Sequence, residues 1–260
     1  MEKSIKGLDI DNLRNGVFLA IRGGGIRSVS SIGVIKALEE ERITIKGISG
    51  ESGSSLVAGL FAYGYNSDEI LDLFLKYNEA ITKAAKINGG RGAVVIEELV
   101  NKVTNGALMK NLGINCWINA CKGSLLRPQL YLFSNKDTPE ESLGFACAAS
   151  AGLPIFYGNS YKNIDGKRIP LFDGGMLYNP YIPFDLECPL VYSSFCNSIN
   201  YQRFIPFLQE PFEASAARAD VVITVPVGNS IVTGSNDVIK KLSAEGYSQT
   251  VKILRSNDYF

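Results

Sequence analysis

The 260-residue sequence contains no histidine. This absence excludes a Ser-His-Asp triad, metal catalysis through histidine ligands and general base catalysis by an imidazole. Any proton transfer in an active site of this chain must therefore use other side chains.

The cysteines are not arranged for metal binding. The five cysteines are odd in number, include no C-x-x-C pair, and have no histidine with which to complete a zinc site. We interpret them as small core residues of a protein in a reducing compartment. They are Cys116, Cys121, Cys147, Cys188 and Cys196.

The chain also has no net charge, no apolar core of a signal peptide at its start and no long apolar run. The 26 basic residues balance the 26 acidic ones, so no overall field attracts the protein to nucleic acid or to an anionic membrane, and any transient contact with a membrane surface must be mostly apolar. The N-terminal residues are polar, and no apolar run reaches transmembrane length. We therefore predict a cytoplasmic protein with a single domain over residues 1–260.

Apolar patterns alternate between the strand and helix periods along the chain. They predict an α/β fold, specifically a three-layer α/β/α sandwich with a mostly parallel central sheet. Strands are predicted at residues 16–21, 43–48, 129–133, 169–172, 190–192 and 221–225. Helices are predicted at residues 29–41, 56–63, 67–86, 94–103, 141–151 and 237–254. The pattern from 65 to 125 is otherwise mixed, and we interpret its helices as ordinary covering helices, with a lid as the alternative.

A serine lies at the predicted junction between the second strand and its helix, in the segment Gly50-Glu51-Ser52-Gly53-Ser54. A strand, a tight turn and a buried helix would hold the Ser52 hydroxyl out of the sheet on strained backbone. The segment matches the first glycine of G-x-S-x-G, but Ser54 replaces the last one. A turn of small residues that only packs a helix on a sheet is the alternative.

Three successive glycines, Gly23, Gly24 and Gly25, follow the first predicted strand, with Arg27 close behind. Backbone N–H groups at such a junction can bind an anion. A phosphate is disfavoured, because the segment lacks the third glycine of G-x-G-x-x-G and the Gly-Lys-Ser/Thr of a P-loop. A developing oxyanion fits better, since this loop and the Ser52 turn would emerge at the same edge of a parallel sheet.

Four motifs, taken in order, resemble the patatin-like phospholipases over roughly residues 16 to 185. They are R-G-G-G-I-R at 22–27, I-S-G-E-S-G-S-S-L-V-A at 48–58, A-S-A-G-L-P-I-F at 149–156 and D-G-G-M-L-Y-N-P at 173–180. The resemblance implies that Ser52 is a nucleophile and that Asp173 completes a two-residue dyad. It also implies an oxyanion hole from Gly23, Gly24, Gly25 and Arg27, to which we add the N–H of Gly53.

The sequence departs from the family pattern at three positions. Arg22 stands where the family often has an acidic residue, Ser28 replaces a glycine after the basic residue, and Ser54 replaces the last elbow glycine. We expect these changes to affect the activity level and the substrate more than the reaction type. If Asp173 is not the base, Glu51 is the nearest candidate carboxylate in sequence.

The implied chemistry needs no histidine, no metal and no organic cofactor. Asp173 would accept the Ser52 proton during acyl attack and later activate water against the acyl-enzyme, provided that burial raises its reference pKa of about 3.9. We therefore predict a lipid acyl hydrolase, of phospholipase A or lysophospholipase type, that cleaves carboxylic esters of phospholipids or related acyl lipids. The alternatives are an acyltransferase or thioesterase with the same dyad, and a catalytically silent module that binds a lipid or a nucleotide.

Overall fold

The computed structural model describes residues 10–84, 91–124, 127–154, 157–176, 179–196, 212–227 and 234–256. Within these residues the chain forms an α/β fold with an eight-stranded sheet flanked by helices, which confirms the predicted class. The strands are β1 (Val17–Ile21), β2 (Ile45–Glu51), β3 (Asn115–Ser124), β4 (Arg127–Ser134), β5 (Ser160–Ile164), β6 (Lys167–Asp173), β7 (Leu190–Cys196) and β8 (Val221–Pro226). The helices are α1 (Ile10–Arg14), α2 (Ser30–Glu40), α3 (Gly53–Tyr63), α4 (Ser67–Ala84), α5 (Gly92–Val103), α6 (Leu143–Ala151), α7 (Phe212–Arg218) and α8 (Asn236–Arg255).

The sheet has the order β5-β6-β3-β2-β1-β7-β8, and β4 pairs with β3 beside this path. All neighbouring pairs from β3 through β2, β1 and β7 to β8 are parallel. The three remaining strands are added in antiparallel fashion, β4 and β6 on β3 and β5 on β6. Asp165 and Gly166 join β5 to β6 with positive φ at both residues, as a two-residue hairpin turn of type I′ requires.

Strand β3 uses its two edges differently. One edge pairs with β4 from Trp117 to Ser124. The other edge pairs first with β2, which runs parallel to it, and then with β6, which runs antiparallel. Because β4 already occupies one edge along this length, β2 and β6 must lie in line on the opposite edge and point toward each other.

The registers show how closely these two strands meet. Glu51, the last residue of β2, lies opposite Asn119, and Asp173, the last residue of β6, lies opposite Ala120. The carboxyl ends of β2 and β6 therefore meet at adjacent residues of β3. This geometry brings the turn after β2 close to the turn after β6.

The core lies on both faces of β1, as its continuous apolar run predicts. Val17, Leu19 and Ile21 belong to the larger hydrophobic cluster, which includes buried residues of α2, α3, α5, α6 and α8. Phe18 and Ala20 face the other side, where residues 182–192 and the residue after α7 pack against them. Burial on both faces makes β1 a fixed base for the loop that follows it.

The helices between β2 and β3 pack against the core rather than standing apart from it. Ile70 of α4 and Ile96 of α5 are buried in the larger cluster. A reciprocal capping box starts α4, since Asn66 and Glu69 each accept the backbone N–H of the other at 2.9 Å. These helices are covering helices, and the predicted extension of α4 to residue 86 lies outside the described residues.

Sequence patterns did not predict β3, β5, α1 or α7. The described part of the chain contains no helix that combines the length and the apolar character needed to cross a membrane.

Three of the five cysteines, Cys116, Cys121 and Cys147, are buried as free thiols, and Cys188 is partly exposed. Residues 155–156 and 177–178 of the sequence motifs, like the side chain of Cys196, lie outside the description.

Candidate active site

Ser52 occupies a strained turn between β2 and α3. Its φ of 50° and ψ of −131° are rare for a residue other than glycine. Two neighbouring hydroxyls hold this conformation: Ser150 Oγ accepts the N–H of Ser52 at 2.9 Å, and Ser55 Oγ donates to the Ser52 carbonyl at 2.6 Å. The backbone conformation at Ser52 is the one that a nucleophile elbow requires.

Ser54 has a structural role that a glycine could not fill. Its hydroxyl oxygen lies 2.8 Å from the carbonyl oxygens of both Ile21 and Glu51, and it accepts the N–H of Glu51 at 3.1 Å. Ser54 is fully buried, so these contacts replace hydrogen bonds to water. This departure from the family pattern therefore ties the ends of β1 and β2 together below Ser52.

Asp173 faces Ser52 from the end of β6. The Ser52 hydroxyl donates to Asp173 Oδ2 at 2.7 Å, and Asp173 Oδ1 accepts the N–H of Gly175 at 2.8 Å. Burial raises the pKa of Asp173 to about 6, although hydrogen bonds from Ser52 and from the backbone of Gly175 and Met176 oppose the rise. A carboxylate with this pKa is a much better proton acceptor than an exposed aspartate, and it is still ionised at neutral pH.

Two other titratable groups near Asp173 stay protonated. Burial, together with the nearby Asp173 charge, raises the pKa of Tyr157 to about 12. Burial also raises the pKa of the Cys121 thiol, with smaller contributions from the charges of Asp173 and Glu51. Neither group is therefore a base or a thiolate nucleophile at neutral pH.

A buried asparagine supports the turn that carries Asp173. Asn119 donates from Nδ2 to the Asn179 carbonyl at 2.7 Å and accepts the N–H of Tyr181 at 3.1 Å. Gly174 packs so closely on the Asn119 backbone that a Cβ would overlap its carbonyl oxygen. The Asp173 turn is thus fixed by strand β3 beneath it as well as by β6.

The N–H groups of the glycine loop are not all available. Gly23 donates to Glu51 Oε1 and Gly24 donates to Ser28 Oγ, each at 3.1 Å. The N–H groups of Gly25 and Gly53, by contrast, donate to no acceptor within the described ranges. Ser28 replaces a glycine of the family pattern, and its hydroxyl holds the Gly24 N–H of the same loop.

Arg27 acts on the backbone of the same loop. Its own N–H and its Nε both donate to the Gly24 carbonyl, at 3.2 and 3.4 Å. Its guanidinium is buried and lies 4.7 Å from the centre of the Phe195 ring, which also packs against Gly24. Because the peptide plane is rigid and trans, holding the Gly24 carbonyl turns the Gly25 N–H the opposite way.

The structure therefore gathers the predicted residues at one edge of the sheet. Gly23 lies beside Ser52, since a Cβ on Gly23 would come within 2.8 Å of the Ser52 Cβ, and a Cβ on Gly53 would come within 2.5 Å of the Gly25 carbonyl oxygen. The third departure, Arg22, has its guanidinium 5.8 Å from the centre of the Phe195 ring. Across the described ranges, no group of three or more cysteine, aspartate and glutamate residues is placed to hold a metal ion.

Several supporting residues were not identified from the sequence. The motifs contain Ser150 and Asn179 but indicate no role for either, and they suggest Glu51 only as an alternative base. Asn119 and Phe195 carry no local signal, because their positions depend on strand pairing. Only the sheet register brings these two residues to the site.

Comparisons with known proteins agree with this architecture. The family model described as patatin-like phospholipase matches residues 19–186. Lysophospholipase NTE1 of Kluyveromyces lactis is 50% identical over 50 residues, which cover 19% of this chain and 4% of that protein. Its counterpart in Saccharomyces cerevisiae is 46% identical over 48 residues, which cover 18% of this chain and 3% of that protein. The chain thus matches only a small part of these curated relatives.

Solved structures show the same fold at low identity. VipD from Legionella pneumophila superposes with a TM-score of 0.57 and 14% identity, over 93% of this chain and 66% of that one. The ExoU-SpcU complex of Pseudomonas aeruginosa gives a TM-score of 0.58 and 15% identity, over 92% of this chain and 51% of that one. At such identities the likeness concerns the fold alone.

Proposed function

The chain belongs to the patatin-like phospholipase family, and on this premise we propose that it hydrolyses carboxylic esters of phospholipids or lysophospholipids through a Ser52 acyl-enzyme. The observation that carries this proposal is the 2.7 Å hydrogen bond from the Ser52 hydroxyl to Asp173, a carboxylate whose pKa is raised to about 6. Nucleophile and base are then in contact before substrate binds.

The acylation step uses both residues of this pair. Ser52 Oγ attacks the ester carbonyl carbon while its proton passes to Asp173 Oδ2, which gives a tetrahedral intermediate with a negative oxygen. When the intermediate collapses, the bond to the leaving alcohol breaks and Asp173 returns the proton to the alcohol oxygen. Water then attacks the acyl carbonyl carbon while its proton passes to Asp173. When this second intermediate collapses, the bond to Ser52 Oγ breaks, Asp173 returns the proton to Oγ, and the fatty acid leaves.

In this proposal the oxyanion is held by the N–H groups of Gly25 and Gly53, with the first turn of α3 adding its dipole. This narrows the predicted donor set, because Gly23 and Gly24 already donate within the protein. Arg27 contributes by orienting the Gly24–Gly25 peptide rather than by direct contact, since its guanidinium is buried against Phe195.

Asp173 is assigned as the base in preference to Glu51. The Ser52 hydroxyl donates to Asp173, whereas Glu51 Oε1 accepts a backbone N–H from Gly23.

The balanced charge of the chain supports a transient and mostly apolar contact with the lipid surface. A cytoplasmic location is part of the same proposal.

A fluorophosphonate probe tests the proposed chemistry directly. We expect it to label Ser52 in the wild type, not to label Ser52→Ala, and to label Asp173→Asn much more slowly because the hydroxyl has lost its proton acceptor. Mass analysis of a lipid extract incubated with the protein would identify the ester that is cleaved. Added alcohol or thioester acceptors would reveal acyl transfer in place of hydrolysis.

The chain offers a matched control for this experiment. Ser134 and Asp137 also form a serine–aspartate hydrogen bond, at 2.8 Å, but Ser134 is the last residue of β4 and Asp137 lies in the turn that follows it. Ser134→Ala and Asp137→Asn are expected to leave labelling and turnover unchanged. If the wild type takes up no probe at all, the chain is a silent binding module; if Asp173→Asn reacts as fast as the wild type, Asp173 is not the base.

A further inference from the structure

Glu51 is a second buried carboxylate at the edge of the site. It is the last residue of β2, directly before Ser52, and its side chain is fully buried. Its Oε1 accepts the N–H of Gly23 at 3.1 Å across the junction between β1 and β2. The proposed reaction steps give Glu51 no part.

The carboxyl groups of Glu51 and Asp173 lie on the same side of Gly175. A Cβ built on Gly175 would lie 3.4 Å from Glu51 Cδ and 3.3 Å from Asp173 Oδ1. Glu51 therefore lies between the glycine loop on one side and the Asp173 turn on the other.

A negative charge on Glu51 would not favour the proposed reaction. Burying a carboxylate costs free energy, and a negative charge near a developing oxyanion would oppose the reaction. The hydrogen bond that Glu51 accepts is a geometric contribution instead, because it fixes the direction of one peptide of the loop.

The glycine loop is held by three successive contacts of this kind. Glu51 holds the Gly23 N–H, Ser28 holds the Gly24 N–H, and Arg27 holds the Gly24 carbonyl. The Gly25 N–H follows directly after these fixed peptides. Glycine restricts its backbone torsion angles only weakly, so the direction of that N–H depends on the hydrogen bonds that hold the preceding peptides.

We propose that Glu51 is a positioning residue, whose carboxylate oxygen anchors Gly23 and thereby aims the Gly25 N–H at the substrate oxyanion. This inference rests on the proposed function and adds a role to the glutamate of the nucleophile elbow. The acceptor oxygen is the required feature, and the negative charge is not.

Two substitutions of similar volume separate these features. Glu51→Gln keeps an acceptor oxygen and removes the charge, whereas Glu51→Met fills the space with no comparable acceptor. Each variant is assayed with a carboxylic ester and with its thionoester, in which sulfur, a poor hydrogen-bond acceptor, replaces the carbonyl oxygen. The ratio of the two rates reports on the oxyanion donors rather than on the dyad.

We expect Glu51→Gln to keep kcat and the ester-to-thionoester ratio within about threefold of the wild type. Glu51→Met should lower kcat for the ester by about tenfold or more, with little change in KM, and should lower the ratio with it. Glu39 supplies the control pair, because it also accepts a backbone N–H, that of Ser67, but at the junction of α2 and α4. Glu39→Gln and Glu39→Met should leave the ratio unchanged.

Two results would overturn the inference while the proposed function stands: an active wild type whose ratio is unchanged in Glu51→Met, or a Glu51→Gln variant that folds and loses the ratio. If Glu51→Met melts far below the wild type, the Gln variant decides alone. A wild type that hydrolyses neither ester would overturn the proposed function and this inference together.

Discussion

Ser52 and Asp173 meet because their strands run toward each other along one edge of β3. Glu51, just before the serine, pairs with Asn119, and Asp173 pairs with the next residue, Ala120. A serine after a parallel strand thus faces an aspartate at the end of an antiparallel one, at 2.7 Å. Strand register brings the two chain segments together, and the strained turn at Ser52 completes the contact.

This arrangement makes the ionisation of Asp173 the expected control on turnover. In the proposed mechanism Asp173 must be unprotonated to accept the Ser52 proton, and its pKa is raised to about 6. With an uncharged ester substrate, kcat/KM should rise about tenfold per pH unit below that value and level off above it. A pH–rate profile between about pH 5 and 8 tests this, and a flat profile would show that Asp173 is not the titrating base.

The same carboxylate is expected to lower stability as the pH rises. The folded-state pKa of about 6 exceeds the ordinary value of 3.8, so between these values the folded protein binds more protons than the unfolded chain. Stability therefore falls as the pH rises through this window, by at most about 1.4 kcal/mol per pH unit. Asp173→Asn removes this ionisation.

Thermal melting of the wild type and of Asp173→Asn tests the sign. We expect the variant to gain stability relative to the wild type as the pH rises from about 4 to 7, with little further gain above that. The variant should be inactive throughout, so stability and function separate at this position. A Tm difference that is independent of pH would mean that Asp173 is not buried as an ionisable group.

Much of this architecture follows from the sequence, because local pattern and tertiary structure agree there. The apolar run of β1 and the apolar helix after Ser52 are each buried as their residues predict. Strand β3 was missed, since Asn115, Asn119 and Lys122 break any apolar alternation. Pairing with three other strands, rather than intrinsic propensity, makes this segment a strand.

The candidate site divides in the same way. The positions of Ser52 and Asp173 were predicted, because an elbow and an aspartate turn leave local signatures. The hydrogen bonds that occupy the N–H groups of Gly23 and Gly24 were not predicted. One acceptor, Glu51, is distant in sequence, and the other, Ser28, reaches Gly24 only because the loop folds back on itself. Sequence motifs therefore name the glycines but do not say which N–H groups are available.

The packing at Gly24 gives a third prediction. A Cβ at this position would overlap the Phe195 ring, so Gly24→Ala must displace either the ring or the loop. We expect kcat to fall by roughly 10² or more with little change in KM, because the Gly25 N–H moves with the loop. Gly113→Ala is the control, since only one atom, the Ala62 carbonyl oxygen, would lie near its Cβ, at 3.6 Å. Wild-type turnover in a folded Gly24→Ala variant would contradict the role of this loop.

Ser150 supports a fourth prediction, because it holds the strained Ser52 from α6, a helix that contributes no residue to the proposed dyad. Its hydroxyl accepts the Ser52 N–H at 2.9 Å, and it is fully buried. Ser150→Ala leaves that N–H without its acceptor, which costs about 1–3 kcal/mol, and φ of Ser52 is then free to relax from 50°.

We expect Ser150→Ala to lower the rate of fluorophosphonate labelling and kcat by about tenfold, with KM nearly unchanged. Ser49→Ala is the matched control, because Ser49 is also fully buried on β2 but its hydroxyl has no hydrogen-bond partner among the described residues. A loss of stability with normal labelling of the folded protein would show that Ser150 contributes to packing and not to the alignment of Ser52. Slower labelling of the variant at a temperature where it is fully folded would instead show that the elbow conformation needs this hydroxyl, because Ser52 is then less well aligned while the fold is intact.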